Sequence, residues 1–145
     1  MNLKLDPWKS FEIKDYNKII SEFGIEKIDD IINVLTEKNY YFTRKIVFGH
    51  KSFQTILEAI KSKKPFAMLT GLMPSGRFHL GHKIIVDLMI YLQEIGAECY
   101  VVVADVESFL TRNIPLKEAK KIAIEEYLLN YIALGLDIKK CDFYT

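Results

Sequence analysis

The sequence predicts an α/β protein that contains the first half of a Rossmann-like, doubly wound parallel sheet. From residue 65 onward, three short apolar runs alternate with amphipathic stretches, in the order strand, helix, strand, helix, strand. Before that point, short helical patterns are separated by polar breaks. We therefore divide the chain into residues 1–64, a small and mainly helical N-terminal region with an extended segment, and residues 65–145, the half-sheet.

The N-terminal region contains three predicted helices. Asp15 is predicted to cap the first helix and Gly24 to end it, and the third helix is predicted to begin at Ser52. The segment 40–48 between the second and third helices is predicted to be extended. The second helix carries apolar residues at helical spacing, namely Ile28, Ile31, Ile32 and Leu35. Stripes of this kind normally face a core, so no ligand-binding role is assigned to them.

The second region begins with residues 65–70, which are predicted to form a buried strand. A helix follows and is predicted to end at Gly96, with an apolar stripe formed by Ile84, Ile85, Leu88, Met89, Leu92 and Ile95. Residues 99–104 are predicted to be a second buried strand.

A polar loop containing Arg112 and Asn113 is predicted to lead from the second strand into a second helix. This helix is predicted to begin at Pro115 and to end at Gly135. Its predicted apolar face consists of Ile124, Tyr127, Leu128, Tyr131 and Ile132, and residues 142–145 begin the third strand. Because a Rossmann-type site uses both halves of its sheet, we expect the chain to be part of a longer protein.

Composition narrows the class of protein. The chain has 145 residues with 20 Lys and Arg against 19 Asp and Glu, a net charge of +1 that by itself indicates neither a nucleic-acid nor a membrane partner. Cys99 and Cys141 lie far apart without metal-ligand spacing, so neither a metal site nor a disulfide framework is predicted. The sequence shows no signal-like leader and no apolar run of about 18 residues, so we expect a soluble, cytoplasmic protein.

The loop of residues 71–82, between the first strand and its helix, carries the strongest functional signal. It has the glycine spacing of a P-loop, but Arg77 stands in place of the lysine and Phe78 in place of the Mg²⁺-binding hydroxyl. The G-x-G-x-x-G dinucleotide pattern is also absent from this loop. Neither of these two phosphate-binding motifs therefore describes it.

Two interpretations remain for the pattern His79-Leu-Gly81-His82. In the first, both imidazoles lie in the first helical turn, where free N–H groups and the helix dipole favour a phosphate. Ser75 and Gly76 then form a flexible lip, and the site suits nucleotidyl transfer by positioning and charge stabilisation. In the second, one histidine caps the helix and the other packs on the core. Because H-x-G-H arises by chance in a chain of this length at roughly 1%, the pattern favours a nucleotide site.

The stretch from Pro74 to His82 is similar to the ATP-binding signature of class I aminoacyl-tRNA synthetases of the tyrosyl and tryptophanyl kinds. Further segments resemble the archaeal and eukaryotic type of tryptophanyl-tRNA synthetase, from about Leu5 to the last residue. These segments are Asp6-Pro7-Trp8, Asp15–Ile20, Phe23-Gly24, Arg44, Phe48–Phe53 and Lys63–Phe66.

The resemblance implies that the protein activates tryptophan with ATP and Mg²⁺ and transfers it to tRNA(Trp). It implies that His79 and His82 are catalytic and bind ATP together with Pro74, Ser75, Gly76 and Gly81. It also implies a homodimer, a packing of residues 1–64 on the catalytic domain, and a second half-sheet and an anticodon-binding domain downstream.

The amino-acid pocket shows both agreement with and departures from this family. Glu107 matches the position from which the family binds the ammonium group of the amino acid. At Leu69 and Val102, however, better-known members place a Tyr and a Gln that recognise the indole N–H. An unpaired indole donor would cost ~1–3 kcal/mol, so another acceptor or a rebuilt pocket is expected.

Three alternatives stay open on the sequence alone. The first is a tyrosyl-tRNA synthetase, the second is a non-catalytic binding module, and the third is a small-molecule nucleotidyltransferase that uses the same histidine motif.

Overall fold

The computed structural model describes residues 16–33, 35 and 39–145. Its contacts divide the chain into two units, with the boundary between Glu58 and Ala59. The boundary between the N-terminal region, residues 1–64, and the half-sheet, residues 65–145, stays a prediction. Asp15, the predicted cap of the first helix, lies outside the described residues.

The first unit consists of short helices and one two-stranded antiparallel ribbon. Gly24, at φ +61°, directly follows the first helix, as predicted. Ile28, Ile31 and Leu35 are buried, which confirms most of the predicted face of the second helix. The elements in chain order are α1 (Tyr16–Phe23), β1 (Glu26–Lys27), α2 (Asp29–Ile32), α3 (Tyr40–Thr43), β2 (Gly49–His50) and α4 (Gln54–Lys61).

Two predictions for this unit are wrong. The segment predicted to be extended begins with helix α3, because the Asn39 side chain accepts a hydrogen bond from the Tyr41 N–H at 2.8 Å and caps a helical turn. The last predicted helix begins at Gln54 rather than at Ser52, because Ser52 adopts a left-handed conformation at φ +58° that no helix continues.

The second unit is a three-stranded parallel sheet with connecting helices, in the order β3-β4-β5. This topology confirms the predicted fold class, since two successive parallel crossovers build one half of a doubly wound sheet. The strands are β3 (Ala67–Leu72), β4 (Glu98–Val103) and β5 (Cys141–Tyr144). The helices are α5 (Leu80–Glu94), α6 (Asp105–Arg112), α7 (Leu116–Ile122) and α8 (Leu129–Leu134), with a π-helical segment, Ala123–Leu128, between the last two.

The core of this unit lies on one face of the sheet. Val101 of β4 and Val86 and Met89 of α5 are fully buried there, packed with Tyr127 and Tyr131 of the last helical stretch. The prediction that the first two strands are buried is therefore wrong for the other face of the sheet. Exposure alternates along each strand, and Leu69 on the other face is 65% exposed.

Three helix predictions also need correction. The predicted polar loop after β4 is helix α6, which Asn113 ends in a left-handed conformation at φ +54°. In α5 the buried face differs from the predicted apolar stripe. The inward face is formed by Val86, Met89 and Gln93, whereas Ile85, a residue of the predicted stripe, is 41% exposed.

The last helical stretch begins and ends as predicted, with Pro115 as its N-cap and Gly135 at its C-terminus. Its π-helical segment changes the residue spacing, so the buried residues Ala123, Tyr127 and Tyr131 recur every four positions while Ile124 and Ile132 face outward. In the part of the chain that the structure describes, no helix combines the length and the apolar character needed to cross a membrane.

Candidate active site

The loop between β3 and α5 leaves the sheet at the carboxyl end of β3, the edge at which doubly wound folds bind ligands. Pro74 in this loop is buried, whereas Ser75, Gly76 and Arg77 are exposed. The Ser108 hydroxyl of α6 donates to the Pro74 carbonyl oxygen at 2.9 Å. The loop therefore combines an anchored first part with an exposed second part.

His79 and His82 cap helix α5 reciprocally. His79 is the N-cap residue, and its Nδ1 accepts a hydrogen bond from the Gly81 N–H at 3.1 Å. In return, the Nδ1 of His82 accepts from the His79 N–H at 3.2 Å. Two histidines three residues apart thus perform the task that Ser and Glu perform in an ordinary capping box.

This arrangement determines where each imidazole carries its proton. A ring nitrogen that accepts a hydrogen bond is unprotonated, so the proton of each neutral ring lies on Nε2. The two rings stack with their centroids 3.8 Å apart. Burial, and to a smaller extent the charge of His79, lowers the pKa of His82, which favours the neutral ring. The pair therefore offers two Nε2–H donors at the positive N-terminal end of helix α5.

The ring of His82 packs against a cluster of aromatic side chains. The rings of His82 and Tyr127 meet edge to face at a centroid distance of 5.0 Å, and Phe78 lies 5.5 Å from His82. Phe78 also packs edge to face against Tyr127 and Tyr131. Burial raises the pKa of Tyr127 and raises that of Tyr131 to about 12, so both phenols stay neutral.

Gly81 is required by the position of the His79 ring. A Cβ at residue 81 would lie 3.0 Å from Cε1 and 3.1 Å from Nδ1 of His79, closer than an ordinary van der Waals contact. Gly76, in contrast, has open space around it. The glycine of the motif thus lets the first histidine fold back onto the helix terminus.

A cleft of about 260 Å³ lies beside the histidine pair. It brings Ser75 and His82 together with residues at the carboxyl end of β3. Its lining consists of Thr70, Gly71, Leu72, Met73, Ser75, His82, Ile85 and Tyr131.

The three residues predicted to bind the amino acid do not line this cleft. Leu69 and Val102 lie on the exposed face of the sheet, on neighbouring strands, and Val102 pairs in register with Gly71. Glu107 is an exposed residue of α6. The structure thus places Leu69 and Val102 on the sheet and Glu107 on α6, outside the cleft.

Sequence reasoning missed Ser108, Tyr127 and Tyr131 as parts of the site. Tyr127 and Tyr131 were predicted to be core residues, and they are core residues that also contact the loop or the cleft. Ser108 lies in a segment predicted to be a loop, and its position directly after Glu107 was the only available signal.

The parallel half-sheet and the histidine-capped helix at its carboxyl edge are typical of nucleotide-binding α/β proteins. Residues 61–145 match the sequence model of the class I tRNA synthetases for tryptophan and tyrosine. The chain belongs to this family.

Similarity to individual proteins covers nearly the whole chain. The chain is 47% identical over 145 residues to the tryptophan–tRNA ligase of Aeropyrum pernix, and the match covers 97% of this chain and 39% of that protein. The tryptophan–tRNA ligase of Methanocaldococcus jannaschii is 40% identical over 142 residues, covering 98% of this chain and 38% of the relative. The chain therefore spans about two fifths of the length of these relatives.

Solved structures show the same relationship. The crystal structure of tryptophanyl-tRNA synthetase from Aeropyrum pernix superposes with a TM-score of 0.85 at 47% identity, covering 97% of this chain and 39% of that one. The enzyme from Encephalitozoon cuniculi, solved bound to tryptophan, has a TM-score of 0.76 at 32% identity, covering 89% and 41% of the two chains.

Proposed function

We propose that this chain is the N-terminal part of a tryptophan–tRNA ligase. In the proposed reaction the carboxylate of tryptophan attacks the α-phosphorus of ATP, giving tryptophanyl-adenylate and pyrophosphate, and the tryptophanyl group then passes to tRNA(Trp). The reciprocal histidine cap at the N-terminus of α5 is the observation that carries this proposal. The similar proteins described above are named for tryptophan rather than tyrosine, which favours the tryptophanyl over the tyrosyl enzyme.

The proposed catalytic residues are His79 and His82. Because each Nδ1 is occupied by a backbone N–H, each ring can offer only Nε2–H to a phosphate oxygen. Donors that are already oriented stabilise the charge that develops on the phosphates without reorganising during the reaction. The positive N-terminal end of the helix dipole favours the same anion.

The proposed ATP-binding residues also include Pro74, Ser75, Gly76 and Gly81. Ser75 and Gly76 form the exposed rim of the loop, and the missing side chain at Gly76 allows a nucleotide to approach the backbone closely. Gly81 keeps the His79 ring folded onto the helix terminus. We propose that Mg²⁺ enters this site on the phosphates of ATP, as phosphate oxygens are good ligands for this ion.

The proposed amino-acid site lies on the exposed face of the sheet. Leu69 and Val102 present apolar side chains there, which suits an indole ring. Neither side chain can accept a hydrogen bond, so the acceptor for the indole N–H must come from another residue. Glu107 at the start of α6 supplies a carboxylate for the ammonium group, a charge-assisted pair that strengthens when water is excluded.

Further proposals concern the whole protein. Residues 65–145 form the first half of the catalytic domain, and residues 1–64 pack on it. The protein acts on tRNA(Trp) as a homodimer in the cytoplasm.

The test is ATP–pyrophosphate exchange by the full natural polypeptide that includes these 145 residues. Exchange that depends on tryptophan supports the proposal. Exchange that depends on tyrosine instead would transfer the protein to the tyrosyl enzymes, and the absence of exchange with either amino acid would favour a non-catalytic role.

A further inference from the structure

We infer that Ser108 and Tyr127 are positioning residues that hold the first half of the ATP loop in place, so that only its second half can move. This inference rests on the proposed ATP-binding function of the loop. Neither residue touches the substrate under this proposal, and each acts through the backbone of the loop.

Three successive loop residues have a side-chain partner on a helix that follows in the sequence. The Thr111 hydroxyl of α6 lies 3.6 Å from the Met73 sulfur. The Ser108 hydroxyl of the same helix donates to the Pro74 carbonyl oxygen at 2.9 Å. The backbone of Ser75 interacts with the Tyr127 hydroxyl and lowers its pKa, against the larger effect of burial. Ser108 therefore anchors the loop at Pro74, and Tyr127 contacts it one residue further on.

Ser108 and Tyr127 are the two strongest anchors because both are buried. Ser108 is 0% exposed and Tyr127 is 1% exposed, and Pro74 is buried as well, so water cannot replace the hydrogen bond between Ser108 and Pro74. Removing the Ser108 hydroxyl leaves the Pro74 carbonyl without its partner in a dry environment, which is more costly than losing a surface hydrogen bond. Removing the Tyr127 hydroxyl takes away its interaction with the backbone of Ser75.

The two loop residues after Ser75 are exposed. An added Cβ at Gly76 would meet no atom within 4 Å, and Arg77 is exposed. The chain becomes fixed again at Phe78, whose ring packs against Tyr127. Gly76 and Arg77 thus lie, exposed, between the contacts that Ser75 and Phe78 make with Tyr127.

Tyr127 connects the loop with the histidine pair. Its hydroxyl interacts with the backbone of Ser75, and its ring packs edge to face on the ring of His82 at a centroid distance of 5.0 Å. Ser108 in turn connects the loop with the helix that carries Glu107. These links place the exposed rim of the loop at a defined distance from both groups, which is the condition for bringing reacting atoms together.

The first measurement is steady-state ATP–pyrophosphate exchange by the full natural polypeptide. We expect Ser108→Ala and Tyr127→Phe each to raise the KM for ATP about tenfold, with the KM for tryptophan changed by less than about twofold. A role in stability alone would reduce the active fraction and hence kcat while leaving the KM for ATP unchanged.

Two matched controls remove comparable groups elsewhere in the same unit. Tyr100→Phe deletes a phenol hydroxyl that donates to Glu98 at 3.1 Å. Cys99→Ala deletes a buried donor whose sulfur lies 3.9 Å from the carbonyl oxygen of Met89. Both controls should keep the KM for ATP of the natural sequence.

The second measurement is limited trypsin digestion under native conditions, which is independent of activity. We expect cleavage after Arg77 to accelerate several-fold in Ser108→Ala and Tyr127→Phe but not in the controls. Cleavage after the exposed residues Lys139 and Lys140 serves as the internal reference for general unfolding.

The two proposals fail in different ways. Unchanged KM values for ATP together with unchanged cleavage after Arg77 in both variants would overturn the positioning role, as would cleavage that rises equally at Arg77 and at the two lysines. If the natural polypeptide supports no exchange, the proposed function fails, and faster cleavage after Arg77 alone still supports the anchoring of the loop.

Discussion

Replacing Gly81 with alanine should lower catalysis without lowering stability. The new Cβ would lie 3.0 Å and 3.1 Å from two atoms of the His79 ring, so the ring must shift by a few tenths of an ångström. This shift weakens the 3.1 Å hydrogen bond from the Gly81 N–H, a cap worth about 1 kcal/mol. Alanine in place of glycine stabilises a helix by at most about 1 kcal/mol, so the two effects on folding nearly cancel.

For the catalytic rate, no second effect of Gly81→Ala offsets the displacement of the His79 ring. Displacing the His79 ring misdirects one Nε2–H donor, and an oriented donor of this kind typically contributes about 10²–10³ in kcat. For a partial displacement we expect a fall of about ten- to a hundredfold in kcat/KM for exchange.

The assay compares exchange and thermal unfolding for Gly81→Ala and for the control Leu80→Ala in the full natural polypeptide. Leu80 is the neighbouring residue of the same helical turn and is 79% exposed, so its truncation should affect neither measurement strongly. Exchange by Gly81→Ala at the natural rate, with unchanged unfolding, would refute the requirement for a folded-back His79 ring.

Three further predictions concern His82 and Glu107. His82→Ala should lower the rate of adenylate formation by about 10²–10³ and change tryptophan affinity little, and exchange at the natural rate would remove His82 from the mechanism. Glu107→Gln should weaken tryptophan binding, and an equal affinity by calorimetric titration would assign Glu107 to the solvent-facing surface. Because the folded-state pKa of His82 lies below its ordinary value of 6.5, the unfolded chain binds more protons in the window between the two values. Stability should therefore rise with pH through that window and be lost as the pH falls below about 6.5. Urea unfolding at pH 5.5 and 8.0 should show a smaller pH dependence for His82→Asn, and an equal dependence would contradict this reasoning.

The predictable part of the fold depended on positions whose backbone conformation is strained for most residues other than glycine. Gly96 and Gly135 follow their helices at φ +108° and +113°, as their positions in the pattern predicted. The parallel sheet was predictable because three apolar runs separated by helical segments leave few other topologies.

Helix α6 could not be predicted because its polarity is inverted. Its buried residues are Asp105 and Ser108, whereas Phe109 and Leu110 are 48% and 71% exposed. A periodicity argument assigns apolar residues to the core, so it finds no helix facing the core here. The polar residue Ser108 is buried because it binds the loop, and this long-range contact is invisible in the local sequence.

The phosphate-binding and the structural interpretations of the two histidines are alternatives on the sequence alone, but in the structure they are compatible. A reciprocal cap joins the N-cap residue to the third residue of the helix, which requires the spacing of His79 and His82. The same cap occupies both Nδ1 atoms and leaves both Nε2–H groups available. A serine–glutamate box would cap the helix equally well, but its ionised carboxylate could offer no donor to a phosphate. Capping therefore accounts for the spacing of the motif, and the proposed phosphate chemistry accounts for the choice of histidine at both positions.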